Sequence, residues 1–175
     1  MSDVLTRQQV PVEETWSLES IYADDQAWEA DFEALKGNVP NLMAYKGKLG
    51  EDAETLFAAL SLRDDLSRQL HKLYTYAHMR YDEDTANSHY QALNDRAGSL
   101  AAQVSAQLAF MTPELLAIDE SRIESFMAQH EKLTVYRHAF DELAKERPHV
   151  LTEAEGRSSP RQATCSGNRV LRLGC

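Results

Sequence analysis

The chain has 175 residues, of which 43% are hydrophobic, and its formal net charge is −10 at pH 7. The last twenty residues contain four arginines and no acidic residue, so the charge of residues 1–155 alone is −14. A body this acidic repels phosphate groups, which excludes nucleic acid and anionic membrane surfaces as expected partners.

No targeting or membrane segment is found in the sequence. Its apolar runs fall short of the roughly 20 residues that span a bilayer, and residues 1–7 lack the apolar stretch of a signal peptide. Cys165 and Cys175 both lie among the last twenty residues. Since the body has no cysteine and needs no oxidising compartment, we expect a cytoplasmic protein without a disulfide framework.

The N-terminal region is predicted to consist of a flexible arm and a packed strap. Residues 1–14 show no helical or strand periodicity, so we expect a flexible arm there. The next segment, residues 16–22, is short but rich in large apolar groups. Four of its side chains are predicted to anchor it to the core: Trp16, Leu18, Ile21 and Tyr22.

A first helix is predicted over residues 24–36, with Asp24 or Asp25 as its N-cap. Trp28, Phe32 and Leu35 follow one another at spacings of four and three residues. This spacing places the three side chains on one side of a helix, where they form an apolar stripe.

Two long helices are predicted next, over about residues 52–81 and 85–110, joined by a polar turn at 82–84. The seam of the first is formed by Ala59, Leu62, Leu66, Leu70, Leu73 and Ala77. The seam of the second is formed by Tyr90, Leu93, Ala97, Leu100, Val104 and Leu108. Because a short turn forces long helices to pack antiparallel, the sequence predicts an all-α domain built on this pair, without a sheet.

Shorter helices are predicted after the pair. Thr112 and Pro113 indicate a helix start, with threonine as the cap and proline in the first turn. Asp119 is predicted to cap the following helix. A last helix is expected over residues 133–147, where Pro148 ends it.

The composition changes abruptly near residue 155. Residues 152–155 have the form of a capping box, yet a glycine and a basic, acid-free stretch follow at once. We therefore divide the chain into a flexible arm (1–14), a helical domain (15–155) and a disordered basic tail (156–175). We expect the native sequence to continue past the domain, and the tail to result from truncation or a change of reading frame.

No catalytic constellation is found in the sequence. A zinc-binding helix requires two histidines four residues apart, with a glutamate between them. The histidines are His71, His78, His89, His130, His138 and His149, and no two are four apart. His71 and His78 share a helix face but lie about 10 Å apart along the axis, too far to hold one metal ion. The sequence thus assigns no catalytic, cofactor-binding or metal-binding residue to this chain.

Two loop patterns also fail on inspection. The turn at 82–84 begins like a calcium loop, but Asn87 stands where glycine is required and Leu93 where the bidentate glutamate belongs. Gly47 and Gly50 do not form a phosphate loop, because no strand precedes them and their spacing is wrong.

A group of tyrosines near the predicted turn allows two interpretations: Tyr74, Tyr76, Tyr81 and Tyr90. They could line a groove that binds a peptide or a partner helix, or they could be half-buried packing residues with their hydroxyls at the surface. The basic tail could act as an RNA-binding arm, but it lacks the lysine density and aromatic residues of such arms.

Five segments carry a family resemblance: WSLESIY (16–22), YKGKL (45–49), LYTYA (73–77), FMTPEL (110–115) and RPHVLT (147–152). In this order they resemble the N-terminal portion of oligoendopeptidase F, a family of bacterial zinc peptidases related to thimet oligopeptidase. The resemblance covers about residues 11–155 and stops where the composition changes.

The resemblance implies a cytoplasmic, all-helical enzyme that cuts short peptides, with its N-terminal helices forming part of the wall of the substrate channel. It also implies a zinc site, formed by an H-E-x-x-H helix and a downstream glutamate, in a C-terminal half that is missing from this sequence. No catalytic residue can therefore be transferred to this chain.

Two hypotheses follow. The first is the N-terminal domain of a zinc metalloendopeptidase, inactive alone, with short peptides and the missing catalytic half as partners. The alternative is a free-standing helical protein-interaction module without enzymatic activity.

Overall fold

A computed structural model describes residues 7–146. Within that range every regular element is a helix, which confirms the predicted all-α class. The α-helices are α1 (Asp25–Asn38), α2 (Ala53–Glu83), α3 (Ser88–Leu108), α4 (Met111–Ala117), α5 (Glu120–Gln129) and α6 (Arg137–Glu146). Short 3₁₀ helices lie at Arg7–Gln9, Val12–Glu14, Leu18–Ser20, Val39–Tyr45 and Glu131–Tyr136. The first residues of the predicted arm, the capping box at 152–155 and the tail 156–175 lie outside the described residues.

The predicted long helix pair is present and forms the centre of the fold. The predicted bounds, 52–81 and 85–110, correspond to α2 and α3, which make the most extensive contact between any two described elements. Asp52 is the N-cap of α2, and its carboxylate accepts a hydrogen bond of 2.7 Å from the Thr55 N–H. This bond satisfies one of the N–H groups left without a partner at a helix start.

The turn of the hairpin falls at residues 84–87 rather than at 82–84, because α2 continues through Glu83. The Glu83 side chain is only 8% exposed, and it forms ion pairs of 3.4 Å with Arg7 and with Arg80. The tertiary contact with Arg7 and the pair with Arg80 within α2 hold the last turn in helical form, which the run of acidic residues alone does not predict.

Two buried cores lie along α2, which contributes to both. The first involves α1, the C-terminal part of α2 and α3, and includes Trp28, Phe32, Leu35, Leu73, Tyr76, Leu93 and Leu100. The second involves the N-terminal part of α2 and α4 to α6, and includes Leu56, Leu60, Met111, Ile123, Phe126, Leu133 and Phe140. The predicted apolar stripe on α1, Trp28, Phe32 and Leu35, is therefore confirmed, because all three side chains are buried in the first core.

The strap is anchored by fewer residues than predicted. Leu18 and Tyr22 are buried, and Ile21 packs at the margin of the first core. Trp16 is 51% exposed, so its predicted role as an anchor is wrong. The 3₁₀ helix at Leu18–Ser20 brings Leu18 and Tyr22 to one side, whereas Trp16 precedes this turn and is not drawn into the core.

The end of α1 also differs from the prediction. Asp24 caps the helix as predicted, accepting a hydrogen bond of 2.8 Å from the Ala27 N–H. The helix continues through Gly37 into a 3₁₀ stretch instead of ending at Lys36. Among the described residues, Gly47 is the glycine with a positive φ (80°). Gly37 therefore does not form the left-handed cap that would end the helix.

The helix starts after α3 are set by packing more than by caps. α4 begins at Met111, which is 3% exposed, so Thr112 lies inside the helix and is not its cap. Asp119 occupies the N-cap position of α5, but its side chain makes no capping hydrogen bond. The predicted helix over 133–147 is divided into a 3₁₀ stretch and α6.

Candidate interaction surface

Five of the six histidines lie among the described residues, on α2, α3, α6 and the junction between α5 and the following 3₁₀ helix. Three of them each lie close to one carboxylate: His78 to Asp82 (3.5 Å), His89 to Asp25 (2.9 Å) and His130 to Glu54 (3.2 Å). Within residues 7–146 no three histidine, cysteine, aspartate or glutamate side chains are arranged to hold a metal ion. The residues present therefore do not fit the three-ligand site of a catalytic zinc ion.

The four tyrosines near the hairpin turn do not line one groove. Tyr74 and Tyr76 are two positions apart on α2, which separates them by about 200° around the helix. Tyr76 is fully buried and donates a hydrogen bond of 2.8 Å to Asp25 on α1. Tyr81 and Tyr90 are half-buried, whereas Tyr74 is 39% exposed. The groove interpretation is wrong for the set, and Tyr74 is its exposed member.

Tyr74 forms part of an ordered pair of rings on the outer side of α2. Its ring stacks on that of His78, with 5.5 Å between centroids and 19° between planes. The Nδ1 atom of His78 lies 3.2 Å from the Asn94 Oδ1 atom on α3, and its Nε2 atom lies 3.5 Å from the Asp82 carboxylate. The imidazole against which Tyr74 stacks thus contacts side chains of both helices, Asn94 on α3 and Asp82 on α2.

The contact between His78 and Asn94 sets the register of the hairpin on this side. Tyr74 lies one turn back along α2 and Gly98 one turn further along α3, so the two residues are level in the antiparallel pair. A Cβ added to Gly98 would meet nothing within 4 Å. We define the outer hairpin face by three residues on each helix, namely His71, Tyr74, His78, Asn94, Gly98 and Ser105.

The opposite side of the hairpin is covered by α1. Arg96 on α3 donates two hydrogen bonds to Glu29 on α1, at 2.7 and 2.5 Å, and its guanidinium lies 4.4 Å from the centre of the Phe32 ring. These hydrogen bonds hold the pKa of Glu29 below its ordinary value. Because Arg96 is two positions from Gly98, it points about 200° away from it. α1 therefore leaves the outer hairpin face uncovered.

The strap is attached to α2 through Arg80. Its guanidinium donates hydrogen bonds to Glu19 at 2.9 Å and to Glu83 at 3.4 Å, and it lies 5.2 Å from the centre of the Tyr76 ring. Burial lowers the pKa of Arg80, but hydrogen bonds to Tyr76 and Glu19 outweigh it and hold the pKa above its ordinary value. Arg80 is thus a permanently charged link between the strap and the hairpin.

Asp25 links the start of α1 to both helices of the hairpin. Its carboxylate accepts a hydrogen bond from the Tyr76 hydroxyl at 2.8 Å and lies 2.9 Å from the His89 Nε2 atom. Burial, together with this hydrogen bond to Asp25, raises the pKa of Tyr76 to about 12. The Tyr76 hydroxyl therefore stays protonated and donates its hydrogen bond to Asp25. Through Asp25, Tyr76 and His89, the start of α1 is connected to α2 and α3.

A depression of about 460 Å³ lies between the loop at residues 46–51 and helices α4 and α5. Arg122 donates hydrogen bonds to the carbonyl oxygens of Gly50 (2.8 Å) and Glu51 (3.0 Å). Glu114 accepts a hydrogen bond of 2.7 Å from the Gly47 N–H. These bonds fasten the loop to the helices and occupy the polar groups of Arg122 and Glu114. The outer hairpin face is therefore the stronger candidate for an interaction site.

The fold and these contacts define a helical domain, and none of its described helices is long and apolar enough to cross a membrane. The sequence model described as Oligopeptidase F matches residues 114–157. Oligopeptidase PepF of Bacillus subtilis is 48% identical over 149 residues, which are 85% of this chain and 22% of that protein. Group B oligopeptidase PepB of Streptococcus agalactiae is 34% identical over 155 residues, which are 89% of this chain and 26% of that protein.

A solved structure agrees with these matches. Oligoendopeptidase-F from Enterococcus faecium superposes with a TM-score of 0.66 at 32% identity, over 74% of this chain and 26% of that one. The chain is therefore similar to the N-terminal portion of oligopeptidase F proteins, as the sequence resemblance predicted. It spans about a quarter of the length of the relatives it matches.

Proposed function

We propose that this chain forms the N-terminal helical domain of a zinc-dependent metalloendopeptidase of the oligopeptidase F type, which hydrolyses short peptides in the cytoplasm. The observation that carries the proposal is the 48% identity to an oligopeptidase over 85% of the chain. The domain corresponds to residues 15–155, preceded by the arm at 1–14 and followed by the basic tail at 156–175.

The proposal assigns no step of hydrolysis to this chain. Its sequence has no two histidines four residues apart, and the described residues offer no cluster of three metal ligands. We assign the zinc and the reacting groups to the part of the family protein that this chain does not span. The chain contributes helices that border the peptide channel, and it is inactive alone.

Two measurements on one preparation test this proposal. The purified chain is analysed for bound zinc and assayed with an internally quenched short peptide, and we expect neither zinc nor cleavage. In parallel, residues 15–155 replace the matched 149 residues of the Bacillus subtilis oligopeptidase, and we expect the chimera to cleave the same peptide. A chain that binds one zinc and cleaves alone, or a folded chimera without activity, would overturn the proposal.

A chain that is stable and monodisperse, yet does not restore activity in the chimera, would favour the alternative function. In that case the domain would be a free-standing interaction module, and the exposed Tyr74 and His78 rings would be its first candidate contact.

A further inference from the structure

Gly98 occupies a position in α3 where the described structure gives no reason for a glycine. It lies near the middle of the helix, where glycine destabilises relative to alanine. Its φ is not positive, and an added Cβ would meet nothing within 4 Å. No neighbour among residues 7–146 therefore needs the missing side chain. What the glycine provides is an open space at the surface, where another backbone could approach closely.

An ordered aromatic ring lies level with that space. Tyr74 is 39% exposed and stacks on His78, whose imidazole lies 3.2 Å from Asn94 and 3.5 Å from Asp82. A ring that is already ordered loses little conformational entropy when it is covered. Tyrosine is also enriched at the contact points that contribute most to binding.

The six residues that define the outer hairpin face carry no formal charge, although Asp82, 3.5 Å from His78, and Asp95, one turn before Gly98, lie at its edges. Charged residues make up 26% of this chain, yet the six residues that define the face include no lysine, arginine, aspartate or glutamate. Depletion of charge distinguishes the centre of a protein interface from the rest of a surface. The opposite side of the same hairpin is packed against α1, with the Arg96–Glu29 pair at its edge.

We propose that the outer hairpin face is the docking surface for a helix from the part of an oligopeptidase F polypeptide that this chain does not span. This inference rests on the proposed function. The relatives are about four times as long as the matched region, and the Enterococcus faecium relative holds that region within one longer folded chain. The partner helix crosses closest at Gly98 and covers the Tyr74 ring.

The test uses the full 175-residue chain, tagged and co-expressed with the part of the Bacillus subtilis oligopeptidase PepF outside its 149 matched residues. Association is measured by co-purification and by titration of the separated partners. We expect Gly98→Leu and Tyr74→Ala each to weaken association at least about tenfold, which is about 1.4 kcal/mol.

Gly98→Ala gives the sharpest result, because its two effects have opposite signs. It should raise the midpoint of thermal unfolding of the chain alone by about 2–4 °C, since alanine favours the helix and nothing obstructs it. It should also weaken association. A purely structural role for Gly98 predicts the first effect without the second. Gly37→Ala on α1 is the matched control, because its surroundings are also open and it lies off the face.

The outcomes separate this inference from the function on which it rests. If the wild-type chain associates and the Gly98 and Tyr74 variants associate equally well, the docking surface lies elsewhere and the proposed function stands. If the wild-type chain does not associate at all, the docking inference is contradicted, whereas the proposed function is decided separately by the activity of the chimera. If association requires Tyr74 and Gly98 but the chain pairs with itself, the occupant is a second copy and the proposed partner is wrong.

Discussion

The indole N–H of Trp28 on α1 donates a hydrogen bond of 2.9 Å to the carbonyl oxygen of Leu73 on α2. Both side chains are fully buried, and the Trp28 ring stacks on Phe32 with 5.0 Å between centroids. One side chain thus combines a large buried ring with a directional polar contact. The ring stabilises the first core, and the hydrogen bond fixes the position of α1 along α2.

Replacing this ring tests its share of the stability. We expect Trp28→Phe to lower the free energy of unfolding by about 1–3 kcal/mol, because it leaves a cavity and removes the hydrogen bond. Urea unfolding followed by circular dichroism measures the change. Trp16→Phe is the control, since Trp16 is 51% exposed and its replacement should stay within about 0.5 kcal/mol. Equal losses in the two variants would contradict this account of the core.

The two tryptophans also show how far the sequence predicts the fold. The burial of Trp28 can be predicted from the sequence, because its spacings to Phe32 and Leu35 place all three side chains on one side of a helix. Trp16 was predicted as an anchor from its size alone, and no periodic partner supported it. Its position depends on the turn at Leu18–Ser20, which is a tertiary outcome of burying Leu18 and Tyr22.

The candidate surface was less accessible to sequence reasoning. Tyr74 and Tyr76 are neighbours in the sequence, but helical geometry sends them to opposite sides of α2, and only one reaches the surface. Gly98 becomes notable only through the register of the hairpin, which the contact between His78 and Asn94 reveals. A turn misplaced by a few residues shifts that register, so the pairing of Tyr74 with Gly98 could not be derived beforehand.

Arg80 offers a test of how the strap is held. Its side chain is 15% exposed and pairs with Glu19 and Glu83. Arg80→Ala should lower the free energy of unfolding by about 1–3 kcal/mol, because Glu83 keeps a mostly buried charge with a single remaining partner, Arg7. Amide exchange at residues 17–21 should also become faster, since the strap loses one of its links to α2.

A matched variant controls for the loss of an arginine as such. Arg68 is 74% exposed and pairs with Asp65 within the same helix. Arg68→Ala should change stability by less than about 1 kcal/mol and leave exchange in the strap unchanged. Faster exchange in both variants would mean that the strap responds to net charge and not to the contacts of Arg80.

The contact between Glu29 and Arg96 should make stability depend on pH in the acidic range. Hydrogen bonds from Arg96 lower the pKa of Glu29 in the folded chain. The ion pair therefore contributes fully to stability above about pH 4.3, the pKa of glutamate in the unfolded chain. This contribution is lost as the pH falls through the lower pKa of Glu29 in the folded chain. Since both side chains are about half exposed, the effect should be only about 0.5–1 kcal/mol.

Urea unfolding of the wild type and of Glu29→Gln at pH 7 and pH 3 measures this contribution. We expect Glu29→Gln to be less stable at pH 7 and the difference to shrink at pH 3. Glu33→Gln, on the exposed side of α1, should differ from the wild type by less than about 0.5 kcal/mol at pH 7. A difference for Glu29→Gln that is the same at both pH values would show that the ion pair does not contribute through ionisation.

A substitution at Gly47 tests how the loop at residues 46–51 is attached to α4. Its φ of 80° lies in the left-handed region, which costs other residues about 1–2 kcal/mol. Its N–H also donates the 2.7 Å hydrogen bond to Glu114. Gly47→Ala should therefore lower the free energy of unfolding by about 1–2 kcal/mol, whereas Gly37→Ala, in a helical and open position, should be neutral or stabilising. Thermal unfolding of the two variants measures the contrast. A Gly47→Ala variant as stable as Gly37→Ala would mean that the loop adopts another conformation in solution.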